Sequence, residues 1–203
     1  MKILPWSWTY TTNSAVIMKA IMRGLLRLLG WKVEGQLPEH DKCVMIFAPH
    51  TSNWDFVLML MTRFCFKMDV AYLGKHTLFK PPFGWFFRWV GGIPVERSSK
   101  KNVVKQVVQE IAQRDKVHLA LAPEGTRSKK PYWKSGFYHI AVQANVPIVF
   151  TYLDTRTKTL GIGDFIQPTG DIESDMDKIR DFYKDKLGIK PELASDIQIE
   201  VKS

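Results

Sequence analysis

Apolar residues along the chain fall into short runs separated by helical patterns. Runs of strand length occupy residues 44–48, 70–73, 93–95, 117–122, 147–152 and 197–201. Between them, apolar residues recur with helical spacing at 54–66, 99–113, 136–144 and 173–187. Because strands alternate with helices, the pattern predicts an α/β fold: a single layered domain whose largely parallel or mixed central sheet is flanked by helices. Residues 161–170 look the most loop-like in the second half.

The length of the chain sets the number of domains. A chain of 203 residues with 45% hydrophobic residues can bury one substantial core and is short for two. The sequence contains no internal repeat, low-complexity tract or linker that would mark a boundary. We therefore expect one compact unit.

Net charge and cysteine content indicate which kind of partner and which redox compartment to expect. Lys and Arg outnumber Asp and Glu by 29 to 20, which gives a net charge of +9 and favours an anionic partner. Residues 1–101 carry +8 of that charge. Cys43 and Cys65 lie in apolar runs without metal-type spacing, so a reduced, intracellular setting fits better than a disulfide scaffold.

An amphipathic helix is predicted near the N-terminus, at residues 13–29. Lys19, Arg23 and Arg27 recur every four residues and share one face, and the rest of the segment is apolar or small. Such a helix either lies in a membrane interface or packs on the core like any amphipathic helix. The preceding Trp6, Trp8 and Tyr10 favour the interface. The sequence has no uncharged apolar run of membrane-spanning length and no signal-peptide pattern, so we do not expect it to cross a bilayer.

The first candidate for chemistry is the block Ala-Pro-His-Thr-Ser-Asn-Trp-Asp at residues 48–55, where a buried strand ends and a helix begins. Sites in open α/β sheets cluster at the carboxyl ends of strands. Ser52 followed by Asp55 is typical of a helix start, which would turn the Asp55 carboxylate back toward His50. A carboxylate beside an imidazole makes a general base. Alternatively, Asp55 only caps the helix and His50 is a loop histidine.

Three further blocks follow in a fixed order. They are Gly-Gly-Ile-Pro-Val-Glu-Arg at 91–97, Ala-Pro-Glu-Gly-Thr-Arg at 122–127 and Val-Pro-Ile-Val at 146–149. Together with the histidine block, this order and spacing resemble the motifs of the glycerolipid acyltransferase family, whose best-known members acylate lysophosphatidic acid. The resemblance covers about residues 48–150. Taking it together with the amphipathic N-terminal helix, we expect a membrane-surface segment at 1–30, packed on an acyltransferase domain at 31–203.

The resemblance implies a role for each matching residue. His50 would remove the proton of the acceptor hydroxyl, with Asp55 orienting the imidazole. The residues implied to bind the acceptor phosphate or shape its loop are Lys75, Arg97, Glu124, Gly125, Thr126 and Arg127. This sequence has Pro49 where many members have Asn, and His76 follows the family lysine where an acidic residue or serine is common. Lysophosphatidic acid and other lyso-lipids therefore stay open as acceptors.

The implied partners are an acyl thioester, either acyl-CoA or an acyl carrier protein, together with a lyso-lipid acceptor and a membrane surface on its cytoplasmic face. A thioester is activated enough for direct attack by a hydroxyl, so no covalent nucleophile, cofactor or metal is expected. No nucleic-acid-binding module is visible. Two other classes remain: an acyl-thioester hydrolase that uses the same dyad, and a non-enzymatic basic protein that binds membrane surfaces.

Residues 78–90 are unusually aromatic. They could line an acyl-chain tunnel, press into a bilayer or pack in the core, and the sequence leaves these alternatives open.

Overall fold

The computed structural model describes residues 12–37, 39–95 and 100–199. The strands are β1 (Lys32–Glu34), β2 (Lys42–Ala48), β3 (Val70–Lys75), β4 (Gly92–Val95), β5 (Val117–Leu121), β6 (Ile148–Asp154) and β7 (Thr159–Ile166). The α-helices are α1 (Thr12–Leu28), α2 (Trp54–Phe66), α3 (Gly84–Trp89), α4 (Lys100–Ala112), α5 (Gly136–Ala144) and α6 (Ile172–Tyr183). Short 3-10 helices lie at His76–Phe79 and Pro191–Leu193.

The strands form one mixed sheet in the order β1-β7-β6-β2-β5-β3-β4. The block β6-β2-β5-β3-β4 is parallel, whereas β7 runs antiparallel to β6 and β1 runs parallel to β7. The predicted α/β architecture is therefore confirmed. Because β2 and β5 are parallel neighbours, the loops that follow them leave the same edge of the sheet.

Helices cover both faces of the sheet. Val44 and Ile46 of β2 pack with α4, α5 and α6 on one face, while Met45 and Phe47 point to the opposite face, where α1 and α2 pack. Strand β2 is apolar almost without interruption because it is covered on both sides. Helix α3 lies on the α1–α2 side, since Tyr72 of β3 donates a hydrogen bond to the carbonyl of Phe87 and its ring contacts Phe56 of α2.

Helix α1 lies across α2 with its apolar face turned outward. Leu26 is fully buried, but Ile17 and Leu28 are 59% and 85% exposed. Arg23 is partly buried and lies close to Cys65 of α2, where its charge opposes the rise that burial causes in the pKa of that thiol. No helix in the described part of the chain is long and apolar enough to cross a membrane. The aromatic residues before the helix lie outside the described residues.

Two predictions from the sequence were wrong. Residues 161–170 are not a loop throughout, because β7 continues to Ile166. Its Gly161 is a close-approach position: a Cβ there would meet the Tyr152 ring at 2.4 Å. The described part of the predicted terminal strand at 197–201 does not join the sheet, since Ile199 makes an isolated bridge with Trp133 beside the loop after β5. Residues 200–203 lie outside the described residues.

Candidate active site

His50 and Asp55 lie where β2 passes into α2. The peptide bond between Ala48 and Pro49 is cis. The side chain of His50 is 19% exposed, whereas Asp55, in the first turn of α2, is completely buried. The local sequence favours this arrangement because the side chain of a first-turn Asp points back toward the loop before the helix, where it can accept from backbone N–H groups.

The Asp55 carboxylate organises the loop that carries His50. Its Oδ2 accepts hydrogen bonds from the backbone N–H groups of Thr51 at 2.7 Å and Ser52 at 2.8 Å. The same oxygen lies 3.2 Å from Nδ1 of His50, at ion-pair distance but without good hydrogen-bond angles. Nδ1 therefore faces the carboxylate, which leaves Nε2 as the ring nitrogen available to a substrate. Catalytic hydrogen bonds are often loose in the absence of substrate and tighten when it binds.

Glu124 ties the loop after β5 to the histidine loop. Its side chain is 1% exposed, and its Oε1 accepts the backbone N–H of His50 at 2.7 Å. Burial raises the pKa of Glu124 from 4.5 to about 7, an effect that the hydrogen bond from His50 partly offsets. The two sequence blocks, 74 positions apart, thus meet through one carboxylate.

Gly125 shapes the turn that follows. Its φ is +64°, and a Cβ at this position would lie 2.6 Å from Nζ of Lys134. Its N–H donates to the carbonyl of Ala122 at 3.0 Å, and the N–H of Lys134 donates to Pro123 at 2.8 Å. The left-handed backbone favours a glycine here, while the end of the flexible Lys134 side chain lies close to where a Cβ would be.

The remaining predicted residues lie at the same sheet edge or outside the described residues. Thr126 accepts a hydrogen bond from the N–H of Ser128 within the loop. Arg127 is exposed and has no ion-pair or hydrogen-bond partner among the residues that the structure describes. Lys75 is the exposed last residue of β3, the strand next to β5. Arg97 lies outside the described residues.

Sequence reasoning missed the supports of the site. Thr51 is buried, and its Oγ1 accepts the backbone N–H of Lys190, which follows α6. Lys134 lies over Gly125, although its lysine-rich neighbourhood in the sequence resembles an ordinary solvated loop. Tyr183 of α6 places its hydroxyl 2.9 Å from the carbonyls of Ile46 and Thr151, behind the site. No local signal marks these contacts, because they join segments far apart in the chain.

The pair His50 and Asp55 can carry out acid–base chemistry, and the exposed Lys75 and Arg127 place positive charge at the same edge of the sheet. Across residues 12–37, 39–95 and 100–199, no three His, Cys, Asp or Glu side chains are grouped so that they could hold a metal ion. His118 is buried near the opposite end of β5, where its Nε2 lies 3.3 Å from the carbonyl of His40, and His139 is exposed on α5. His50 is the histidine that lies beside a buried carboxylate at the loop edge of the sheet.

Several curated proteins with similar sequences share one description. A curated 1-acyl-sn-glycerol-3-phosphate acyltransferase of Streptococcus pneumoniae (strain ATCC BAA-255 / R6) is 29% identical over 144 residues, which cover 64% of this chain and 53% of that protein. Proteins with the same description from Limnanthes alba and Escherichia coli (strain K12) are each 26% identical, covering 90% and 68% of this chain and 70% and 59% of their own lengths. The chain thus spans between about half and seven-tenths of these relatives.

A solved structure shares the fold. The crystal structure of the 1-acyl-sn-glycerophosphate (LPA) acyltransferase from Thermotoga maritima superposes with a TM-score of 0.57 at 18% identity, covering 84% of this chain and 75% of that one. The family description "Acyltransferase" matches residues 30–153, more than half of the chain and a span that contains all four sequence blocks. On this match, the chain belongs to the Acyltransferase family.

Proposed function

We propose that the protein transfers a fatty acyl group from a thioester donor to a hydroxyl of a lysophosphatidic-acid-like acceptor. The observation that carries this proposal is the 3.2 Å approach of His50 Nδ1 to the buried carboxylate of Asp55, in a loop that Glu124 joins to the Gly125 turn. The names of the curated relatives support the choice of a lysophosphatidic-acid-like acceptor.

In the proposed reaction, Nε2 of His50 takes the proton of the acceptor hydroxyl. The oxygen attacks the thioester carbonyl, the carbon–sulfur bond breaks, and the imidazolium returns the proton to the leaving thiolate. Asp55 holds the ring with Nε2 outward and stabilises the imidazolium. A positioned base of this kind contributes about 10² to 10⁴ in rate. No covalent acyl-enzyme is needed, because a thioester reacts directly with an activated hydroxyl.

The acceptor phosphate is proposed to bind the cations around the turn after β5. Arg127 follows Glu124 by three positions and is free to form two parallel hydrogen bonds to a phosphate. Lys75 and Arg97 are proposed to complete the phosphate site, while Glu124, Gly125 and Thr126 fix the course of the loop. Phosphate capture would hold the hydroxyl against His50 and remove most of the entropic cost of the encounter.

We propose that the protein works as a peripheral protein on the cytoplasmic face of a membrane, attached through α1. In support, Val16, Ile17, Ile21 and Leu25 all lie on the outward face of the helix and are more than 40% exposed. A helix that packed its apolar face on the core would bury these side chains instead. An interfacial position would bring lipid acceptors to the site by diffusion in two dimensions.

A product assay tests the proposal. The purified protein is offered a panel of lyso-lipids with labelled acyl-CoA or labelled acyl carrier protein, and the products are identified by mass. We expect ester formation with wild-type protein and a loss of about 10² or more with His50→Ala, whereas His139→Ala serves as a matched control and keeps wild-type activity.

Three results would contradict the proposal. Full activity of folded His50→Ala would remove the mechanism. Thiol release that does not depend on any acceptor would make the protein a hydrolase. Lipid binding without turnover of either donor would leave a membrane-binding protein.

A further inference from the structure

The exposed apolar side chains lie predominantly on one layer of the molecule. Among the described residues, the large apolar side chains that are exposed outside α1, α2 and the segment 76–90 are Leu29, directly after α1, and Val142, Phe165 and Leu187. Helix α1 packs on α2, and α3 lies on the same side of the sheet through Tyr72. In the opposite layer, formed by α4, α5 and α6, Val142 is the one exposed large apolar side chain among the described residues of the three helices.

Segment 76–90, which we call the aromatic lobe, is the densest part of this exposed surface. It joins β3 to β4 and exposes five large side chains: Leu78 45%, Phe83 66%, Trp85 68%, Phe86 39% and Trp89 41%. Trp85 and Trp89 both contact the Phe86 ring, with centroids 6.1 Å and 6.0 Å away. The rings therefore form one continuous patch and not scattered exposed residues.

The base of the lobe is fixed to the domain. Phe79 is 5% exposed, and Arg88 donates hydrogen bonds to the carbonyls of Phe79 and Gly84 at 3.0 Å and 3.3 Å. A Cβ at Gly84 would lie 2.0 Å from the Phe79 carbonyl oxygen, so the chain turns tightly there. A folded base holds the exposed rings in place, which lowers the conformational entropy lost when they bind a surface.

The charges in the lobe and directly beside it indicate its partner. Between residues 70 and 95 the sequence has no Asp or Glu, while Lys75, Lys80 and Arg88 are basic, and all three are exposed. Aromatic rings bordered by cations match the interfacial region of a bilayer that contains anionic lipids, where rings enter the headgroup zone and cations meet phosphates. A protein partner usually carries charges of both signs, so a surface that binds a protein would more often carry both signs as well.

We propose that the aromatic lobe is a second membrane-insertion element, which enters the headgroup region of an anionic bilayer alongside α1. The inference rests on the proposed function, in which α1 provides the first contact. Two insertion points on the same side of the molecule fix its orientation on the membrane as well as its attachment. Once the first element is bound, binding of the second becomes an intramolecular step. Trp54, which is 66% exposed and precedes Asp55, then faces the same surface, so the loop carrying His50 opens toward the lipids.

Vesicle binding of a paired variant tests the lobe. Phe83→Ser combined with Trp85→Ser is compared with the control pair Val142→Ser and Phe165→Ser, which removes exposed apolar side chains elsewhere. On vesicles of phosphatidylcholine and phosphatidylglycerol without substrate, we expect the partition coefficient of the lobe pair to fall about tenfold or more. The control pair should stay close to wild type. Equal binding of the two pairs would overturn the proposal.

A second measurement reports insertion directly. Trp85→Cys is labelled with a polarity-sensitive dye, which the buried Cys43 and Cys65 do not take up, and Phe165→Cys carries the same dye as control. We expect a blue shift on vesicles and quenching by brominated lipid at position 85 alone. An unchanged spectrum at position 85 would overturn the proposal. The proposal would also fail if the lobe pair lost a dimer that wild type forms and still bound vesicles, because the patch would then be a self-association surface.

Acyl transfer to a dispersed short-chain acceptor separates this proposal from the proposed function. The lobe pair should retain wild-type turnover in that assay, because no bilayer is present. If wild-type protein has no transferase activity with any acceptor and still inserts through the lobe, the proposed reaction fails and the docking surface stands. If transfer proceeds and the lobe never inserts, the docking surface fails alone.

Discussion

Asp55 is buried, and one of its carboxylate oxygens is surrounded by backbone N–H groups and the His50 ring. Two backbone N–H groups and the edge of the His50 ring meet its Oδ2, and hydrogen bonds to a charged carboxylate are about twice as strong as neutral ones. Asp55→Asn can keep the contacts to the backbone but loses the charge that stabilises an imidazolium. We expect turnover to fall by about 10² to 10⁴ with little change in the acceptor KM.

Steady-state kinetics with the purified variant measure this effect. Asp164→Asn, at an exposed position in β7, is the matched control and should behave as wild type. A variant that lost affinity for the acceptor at unchanged kcat would show that Asp55 only shapes the loop.

Glu124 should make the stability of the protein depend on pH. Burial raises its pKa from 4.5 to about 7, so the folded protein holds a proton there that the unfolded chain has already released. Between those values the free energy of unfolding therefore falls as pH rises, by about 3 kcal/mol at most. Glu124→Gln keeps an oxygen for the His50 N–H and does not titrate, so it should gain stability over wild type as pH increases from 5 to 8.

Urea unfolding of both proteins at several pH values isolates this effect, because every other titrating group is common to the pair. The difference between the two curves should be smallest near pH 5 and should level off above pH 7. Parallel stability profiles would contradict the raised pKa.

Arg127 has no partner among the described residues, so its removal should change the stability of the fold little and should weaken acceptor binding strongly. Loss of a charge-assisted contact to phosphate is worth about 1.5–3 kcal/mol, which corresponds to a rise in the acceptor KM of about tenfold to a hundredfold. Arg127→Gln should show this rise with the donor KM unchanged. Arg114→Gln, which loses a surface pair with Glu110 on α4, is the control, and an equal effect of both variants would exclude a phosphate role.

Among elements, α1 has the most unusual distribution of side chains. Its apolar residues Ile17 and Ile21 are exposed, while Arg23 is partly buried toward α2. If the outward face enters a membrane, Ile17→Ser with Ile21→Ser should reduce partitioning onto anionic vesicles by about tenfold or more. Co-sedimentation with vesicles provides the measurement.

Weakening of the helix itself is the competing explanation, and Gly24 separates the two. A Cβ at Gly24 would have nothing within 4 Å, so Gly24→Ala should strengthen the helix by up to about 1 kcal/mol without new contacts. Binding that returns when Gly24→Ala is added to the serine pair would mean that helix stability, and not the apolar face, controls attachment.

The elements that were predicted correctly have strong local signals. Helices α2 and α5 match their sequence patterns residue for residue, because in each a segment rich in apolar residues follows a polar turn. Strand β7 was missed because Gly161 and Gly163 look like loop residues. In the fold Gly161 lies against the Tyr152 ring and Gly163 against the Phe182 ring. Only the tertiary structure brings these rings close, so the sequence does not show why glycine is needed there. The same limit applies to Thr51 and Lys134 at the site.

At the scale of the whole molecule, the two helical layers differ in what they expose. The layer of α4, α5 and α6 closes over a continuous core, whereas the layer of α1, α2 and α3 exposes apolar and aromatic side chains. Residues 1–101, which contain that second layer, also carry +8 of the net charge of +9. The half of the sequence that forms the exposed apolar layer therefore also carries most of the net positive charge, a combination that anionic membranes attract.

This coincidence predicts how salt affects binding. Electrostatic attraction is screened over about 10 Å at 0.1 M salt, while apolar insertion is not weakened by salt. Binding to anionic vesicles should therefore decrease steeply with ionic strength and level off at the value for neutral vesicles. Lys75→Gln with Lys80→Gln should make the salt dependence shallower, whereas Lys105→Gln with Lys178→Gln, exposed on α4 and α6, should not. If both pairs lower the slope equally, total charge and not the charge of one face determines attachment, and the oriented docking of the molecule is excluded.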